Sequence, residues 1–308
     1  EILIEYLYYC YLYAGEYEQA RKFSKTFSPA LSEKLKTDKS PLIEYVFVEG
    51  GNKIIDGGDL SDAYYGQLGW GHPIGKNIAF FHAATLFDQS GKIYDLKQRQ
   101  YYFLVNIPVG SSWVFSPAFH FIYRQVTYNV PLYYNTSIPP ASKTKYVVGS
   151  LAAKRSFSYF DIGFGSSFSN IESVDQMQGN LTVTYHPMGN NKLLLTNTGY
   201  LQNESSANRL NVAYGGSLEA LLFPKFCIKA QYLYNQAYHI SESNGYIVNN
   251  SNDLTPSRWT FMGNFLVSRH LNIYLLYQFE NKSRNDTFNN LTAYYDYNTL
   301  ITGLKIIL

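Results

Sequence analysis

The sequence predicts an all-β membrane protein. It would be a single antiparallel up-and-down transmembrane β-barrel of about 14 strands, within a range of 12–16, preceded by a short N-terminal α-helical hairpin. Three observations predict it. A tight turn recurs at an even step: His72-Pro73-Ile74-Gly75, Ile107-Pro108-Val109-Gly110, His186-Pro187-Met188-Gly189 and Phe223-Pro224-Lys225. The prolines at 73, 108, 187 and 224 stand 35, 79 and 37 residues apart, and a proline-free turn at Arg155–Ser158 divides the double step. Between the turns the chain alternates apolar and polar residues. Finally, only 16% of residues are charged, while Tyr numbers 30 and Phe 20.

That composition narrows the class. A soluble protein carries nearer ~25% charge. The mean hydropathy is nevertheless negative, at −0.21, and no run of about eighteen apolar residues is present to form a membrane helix. Strands with one oily and one wet face reconcile the two facts. Tyrosine suits the water–lipid boundary because its ring is apolar and its hydroxyl polar. A soluble β-sandwich also alternates, but lacks so regular a turn rhythm. The net charge of +2 is uninformative, and no basic cluster points to nucleic acid, so none is expected as a partner. Cys10 and Cys227, one in a helical segment and one in a strand, make no disulfide framework. No signal peptide opens the chain, so one is expected to have been removed or to lie outside this sequence.

Residues 1–41 form the first expected domain, a periplasmic helical hairpin. Ile2, Leu3, Tyr6, Leu7, Tyr9, Cys10 and Tyr13 recur at helical spacing, Gly15 breaks the pattern, and Tyr17, Ala20, Phe23 and Phe27 restart it. Pro29 and Pro41 punctuate the stretch beyond Phe27.

Residues 42–308 form the second, the barrel. Strands are predicted at 43–52, 62–72, 77–88, 96–107, 112–127, 145–155, 158–170, 174–186, 192–203, 207–222, 226–240, 256–268, 270–281 and 291–308. Six short turns and seven longer connections join them. Asn129–Thr144 and Ser241–Pro256 stand out among the longer ones. In bacterial barrels short turns face the periplasm, so both termini are expected there.

Parity assigns the faces. Gln176, Gln178, Asn180, Thr182 and Thr184 share one side of their strand; Met177, Leu181, Val183 and Tyr185 share the other. Charge on lipid costs about 2–4 kcal/mol at the midplane, so the polar set lines the interior. The same parity turns His120, Arg124, Lys154, Asp161, Arg209, Glu219, Lys229, Arg258, Glu280 and Lys305 inward. Lys154 with Asp161, and Glu219 with Lys229, are symmetric about turns and are expected directly cross-strand. Such pairs would form either a mixed-charge constriction or a plain structural pairing near the rim. A wall of about fourteen strands leaves an open lumen unless a loop or the N-terminal helices plug it.

No catalytic set, cofactor motif or phosphate loop is found. Asp56, Asp59 and Asp62 beside Gly57-Gly58 read as a solvated acidic loop or a weak calcium site.

Two short stretches carry resemblances. Tyr11, Gly15, Tyr17 and Ala20 resemble the centre of a tetratricopeptide repeat, a helical docking unit too short to be stable alone. Gly303-Leu304-Lys305-Ile306-Ile307-Leu308 resembles the terminal signal read by the outer-membrane insertion machinery: Gly303, Ile306 and Leu308 match, whereas Leu308 replaces the usual aromatic and Ile301 a polar residue. Together they resemble the YaiO-type, repeat-tethered outer-membrane barrels, and the Tyr- and Asn-rich composition resembles barrels of the Bacteroidota. The resemblance implies the outer membrane of a Gram-negative bacterium. It implies as partners the outer-membrane lipid, the barrel insertion machinery and other outer-membrane or periplasmic proteins. Two functions are expected on this basis: an accessory subunit of a larger outer-membrane assembly, or a porin-like channel for passive diffusion or polysaccharide export. No enzyme is expected.

Overall fold

The computed structural model describes residues 4, 5, 7, 8, 23–35, 42–56, 60–74, 78–91, 94–110, 112–129, 141–205, 209–248, 253–286 and 291–308. A short helix, α1 (Pro29–Leu35), precedes the strands. The first seven wall strands are β1 (Tyr45–Asp56), β2 (Leu60–Ile74), β3 (Ile78–Gly91), β4 (Tyr94–Val109), β5 (Trp113–Tyr128), β6 (Ala141–Ser156) and β7 (Phe160–Ile171). The next four are β8 (Val174–Tyr185), β9 (Leu193–Glu204), β10 (Arg209–Phe223) and β11 (Phe226–Asn235). A two-stranded hairpin, β12 (Ser241–Glu242) and β13 (Ile247–Val248), interrupts the wall sequence. The wall then resumes with β14 (Leu254–Ser268), β15 (Leu271–Asp286) and β16 (Leu291–Ile307). Each wall strand pairs antiparallel with its chain neighbour, and β16 returns to pair with β1 from Tyr45↔Ile307 to Asp56↔Asp296. The result is a closed 14-strand antiparallel up-and-down barrel.

Closure explains how the sheet survives in lipid. Every wall strand has two neighbours, so no row of backbone amides is left unpaired towards the hydrocarbon. The side chains divide as the period of two dictates. Leu68, Leu86, Phe119, Leu151, Phe168, Met177, Leu201 and Leu275 stand exposed on the outer surface. Gln67, Thr85, Gln98, Gln176, Gln178, Gln202 and Asn211 are buried on the inner one. A globular protein in water shows the reverse arrangement, so the outer band must be solvated by acyl chains. Aromatic rings mark one end of that band: Trp70 stacks on His82 at 4.9 Å, His82 on His72 at 5.0 Å, and His72 on Phe80 at 5.3 Å.

Several details differ from the sequence reading. The turn between β6 and β7 spans 157–159, with Phe157 N bonded to Phe160 O at 2.7 Å. It is centred further along the chain than a turn about 157–158, so Lys154 lies opposite Gly163 and Asp161 opposite Ser156. The rhythm of short turns and long loops is weaker than expected. The strands extend past the apolar band, so the connections 92–93 and 172–173 are short, while 129–140 and 236–253 stay long. The strand predicted at 226–240 ends at Asn235 because the chain leaves the wall there.

Pro29, one of the two prolines that punctuate the N-terminal stretch, is the first residue of α1, where its missing N–H costs nothing. Ser28 caps that turn, its Oγ accepting from Leu31 N at 3.3 Å. Around it Tyr8 and Phe23 pack on Phe27, both at 5.4 Å between ring centres, and Lys34 pairs with Glu5 at 2.6 Å. Tyr11, Gly15, Tyr17 and Ala20 lie outside the described residues.

Candidate functional site

The bore of the barrel contains part of its own chain. After Asn235, residues 236–248 fold inward from the long-loop rim and carry the β12–β13 hairpin into the lumen. Asn235 makes the exit turn: its amide donates to Ala237 O at 2.7 Å and accepts from Ala237 N at 2.8 Å. Ala237 and Ile240 then bury against Tyr200, Ala213 and Leu233 of the wall. The tip needs three consecutive left-handed residues, Ser243 (φ 49°), Asn244 (φ 58°) and Gly245 (φ 82°). Asn and Gly tolerate that region, and Gly245 N closes the turn on Glu242 O at 3.0 Å.

The wall holds this segment from several sides. Gln202 donates to His239 O at 2.9 Å, and Gln178 both donates to Ser241 O at 2.5 Å and accepts from Ser241 N at 3.0 Å. At the tip, Ser150 and Tyr102 donate to Asn244 O at 2.6 and 3.1 Å. His120 Nδ1 donates to Gly245 O at 2.7 Å, which fixes that ring nitrogen as protonated. Tyr246 hydrogen-bonds Gln67 through its hydroxyl, and its ring contacts Phe81 and Tyr102 at 5.7 and 5.0 Å. Arg258 on β14 pairs with Glu242 on β12 at 2.6 Å, with only 9% and 3% of the two side chains exposed. The hairpin thus spans from β14 to β2 across the bore.

A chain of charges continues outward from this latch. Glu280 pairs with Lys53 at 2.8 Å and lies 3.9 Å from Lys282, whose ammonium donates to Thr255 at 2.5 Å. Arg124 pairs with Glu172, which also accepts from Tyr146 OH at 2.8 Å. Glu49, on the inner face of β1, receives the hydroxyls of Tyr65 and Tyr274. Each of these carboxylates meets a cation or tyrosine hydroxyls, as low-dielectric surroundings require.

The hairpin divides the lumen in two. On the long-loop side lies a cavity of about 390 Å³ bounded by Lys53, Gln98, Arg124, Arg258, Glu280 and Lys282. On the short-turn side lies a chamber of about 240 Å³ bounded by Asn180, Thr182, Thr198, Ser217, Gln231 and the tip residues Ser241–Gly245.

Of the residues singled out from sequence, His120, Gln178 and Arg258 touch the hairpin directly, and Glu280 stands next to its latch. Gln176 is buried on the inner wall, held by Ser169 at 2.8 Å. Asn180 lines the inner chamber. Lys154 reaches Asp161 diagonally at 3.6 Å, and His186 lies 3.5 Å from the same carboxylate. Lys229 lies directly opposite Glu219 at 4.0 Å. Arg209 is described only as the start of β10. Ile306 and Leu308 point outward, at 47% and 60% exposure. Gly303 faces inward beneath Tyr274: a Cβ there would fall 2.2 Å from the tyrosine ring. Parity could have turned Lys53 and Glu49 inward as well. Glu242 and Tyr246 gave no such signal, because a loop has no period. Among the described residues, no group of three His, Cys, Asp or Glu side chains could hold a metal ion; Asp59 of the acidic loop lies outside them.

No known family model matches the chain, and no curated protein matches it in sequence. Solved structures do match in shape. The Pseudomonas putida toluene transporter TodX superposes with a TM-score of 0.56 at 8% identity, over 86% of this chain and 89% of its own. A Pseudomonas aeruginosa FadL homologue gives 0.51 at 9% identity, over 85% and 88%. The CymD monoaromatic hydrocarbon channel gives 0.54 at 8% identity, over 86% and 88%. The likeness is one of fold. It extends over the barrel and does not reach the repeat-tethered type or a Bacteroidota origin.

Proposed function

We propose that this protein is an outer-membrane channel for small hydrophilic solutes, with its bore narrowed at mid-height by the infolded segment 236–248. The observation that carries the reading is the lumen: two polar cavities lie in line along the bore, on either side of a hairpin. A scaffold has no need of polar space within it, whereas a diffusion pathway does. The similar structures support passage as the general role, since TodX and CymD are a transporter and a channel.

Their cargo is apolar, and this lumen favours a polar one. One apolar patch of the inner wall, Phe47, Phe81 and Tyr102, is already filled by the ring of Tyr246. The inner chamber is bounded mainly by hydroxyls and amides, and the outer cavity carries charged groups among its polar and apolar lining. The narrowed bore also favours small solutes over an exported polysaccharide. In this reading the short-turn rim, where β1 begins and β16 ends, faces the periplasm, and Gly303, Ile306 and Leu308 serve the insertion machinery. The reading as an accessory subunit rested on docking through the N-terminal helical hairpin, residues 1–41, and the outer loops, and the lumen gives it no support.

Liposome swelling tests the proposal. Vesicles holding the purified protein are expected to swell in glycine or glucose and not in large oligosaccharides. Equal swelling with and without the protein would contradict it.

A further inference from the structure

The inner chamber has a chemistry of its own, distinct from the charged outer cavity. Its wall, from β7 to β11, presents Asn180, Thr182, Thr196, Thr198, Ser217 and Gln231. None of these carries charge, and each can both donate and accept. Thr182 and Thr198 share one hydrogen bond at 3.0 Å, as do Thr184 and Thr196. A hydroxyl has one donor and two acceptor sites, so each pair keeps a donor and acceptors to offer. Asn180 is held over Gly165, where a Cβ would lie 2.4 Å from its amide oxygen.

The hairpin supplies the chamber's roof. Glu242 is buried and spends Oε2 on Arg258; its Oε1 has no hydrogen-bond partner among the described residues, nor has Ser241 Oγ. Both atoms are shut off from solvent, and Arg258 balances the carboxylate, so the roof adds no uncompensated charge to the chamber. Tyr200 adds an aromatic ring to the lining. The chamber offers a free volume of about 240 Å³.

A hydrocarbon entering this space would leave its hydroxyls unmatched. An ion would find no uncompensated opposite charge: Lys229, at its edge, faces Glu219. A compact molecule bearing several hydroxyls matches the dual donors and acceptors, and its C–H face matches the ring. We propose that the inner chamber is a binding site for a neutral polyhydroxylated solute of monosaccharide size. This rests on the channel reading, for which it names the cargo.

The test is titration calorimetry on the detergent-purified protein, with D-glucose, N-acetyl-D-glucosamine and sorbitol as probes and toluene and L-lysine as controls. At least one polyol is expected to bind saturably and the controls not to bind. Thr198→Val and Ser217→Ala, confirmed as folded by heat-dependent gel migration, are each expected to weaken binding about tenfold, the loss of one hydrogen-bond partner. No saturable polyol binding, or affinity unchanged in both variants, would overturn the proposal, as would toluene competing for the site. The swelling assay separates the two readings. Sugar binding in a protein that passes no solute would sink the channel reading alone. Swelling without any sugar binding would sink the site alone.

Discussion

Arg258 of the wall and Glu242 of the infolded hairpin are joined by an ion pair of 2.6 Å that is almost wholly removed from solvent. The pair links a strand that cannot move to a hairpin of two-residue strands. Breaking one side of a buried pair strands the other charge, at a cost of about 3–5 kcal/mol. Glu242→Ala is therefore expected to free the hairpin and leave the 14-strand wall intact. Hydrogen exchange should show faster exchange at 241–248 and unchanged protection in β5 and β15. Arg258→Met combined with Glu242→Ala should recover part of the lost protection, since no charge is left alone.

Tyr246 separates two contributions to the same closure. Its hydroxyl reaches Gln67, and its ring fills the patch of Phe47, Phe81 and Tyr102. Tyr246→Phe removes one hydrogen bond, worth about 1 kcal/mol. Tyr246→Ala also opens a cavity, and large-to-small changes of this kind cost about 3–5 kcal/mol. Limited proteolysis within 236–248 is expected to be slight for Phe and pronounced for Ala. Equal cleavage of the two variants would mean the ring is not what seats the hairpin.

Gly303 tests the closing seam. The ring of Tyr274 occupies the place a side chain would take, only 2.2 Å from an ideal Cβ. Gly303→Val is expected to lower the yield of folded barrel on reconstitution, read as the heat-modifiable band on a gel. Tyr274→Ala in the same chain should restore much of it. If the defect persists in the double variant, Gly303 acts through insertion and not through this contact.

The pair Glu219 and Lys229 should matter little. The two side chains are 35% and 34% exposed and 4.0 Å apart. Pairs this open to solvent contribute about 0–1 kcal/mol. Lys229→Gln is expected to leave unfolding in urea almost unchanged. A large loss would show that the pair is more desolvated than its exposure indicates.

The barrel was legible in the sequence because its two rules are local. A period of two assigns faces without any knowledge of neighbours, so Gln176, Gln178 and His120 could be turned inward from their own strands alone. Turn symmetry set Glu219 opposite Lys229 about Pro224. It missed at Lys154, because a three-residue turn cannot be told from a two-residue one in Ser156-Phe157-Ser158-Tyr159. The hairpin was not legible. Residues 236–248 are Asn-, Ser- and Tyr-bearing, as an outer loop should be. Their inward path depends on partners far off in sequence: Gln67, Tyr102, His120, Ser150 and Gln178. The signals that exist are faint, namely a buried-type Ala237 and Ile240 within a polar loop and the turn-forming Ser243-Asn244-Gly245. The inner chamber was hidden for the same reason, since its roof is that hairpin.

The central claim, a solute channel narrowed by its own hairpin, is tested most directly by single-channel conductance in planar bilayers. The intact protein should be compared with a variant in which residues 238–247 are replaced by a short Gly-Ser link. A small, steady conductance is predicted for the intact protein and a several-fold larger one for the variant. Silence from both proteins, or an identical conductance, would contradict the claim.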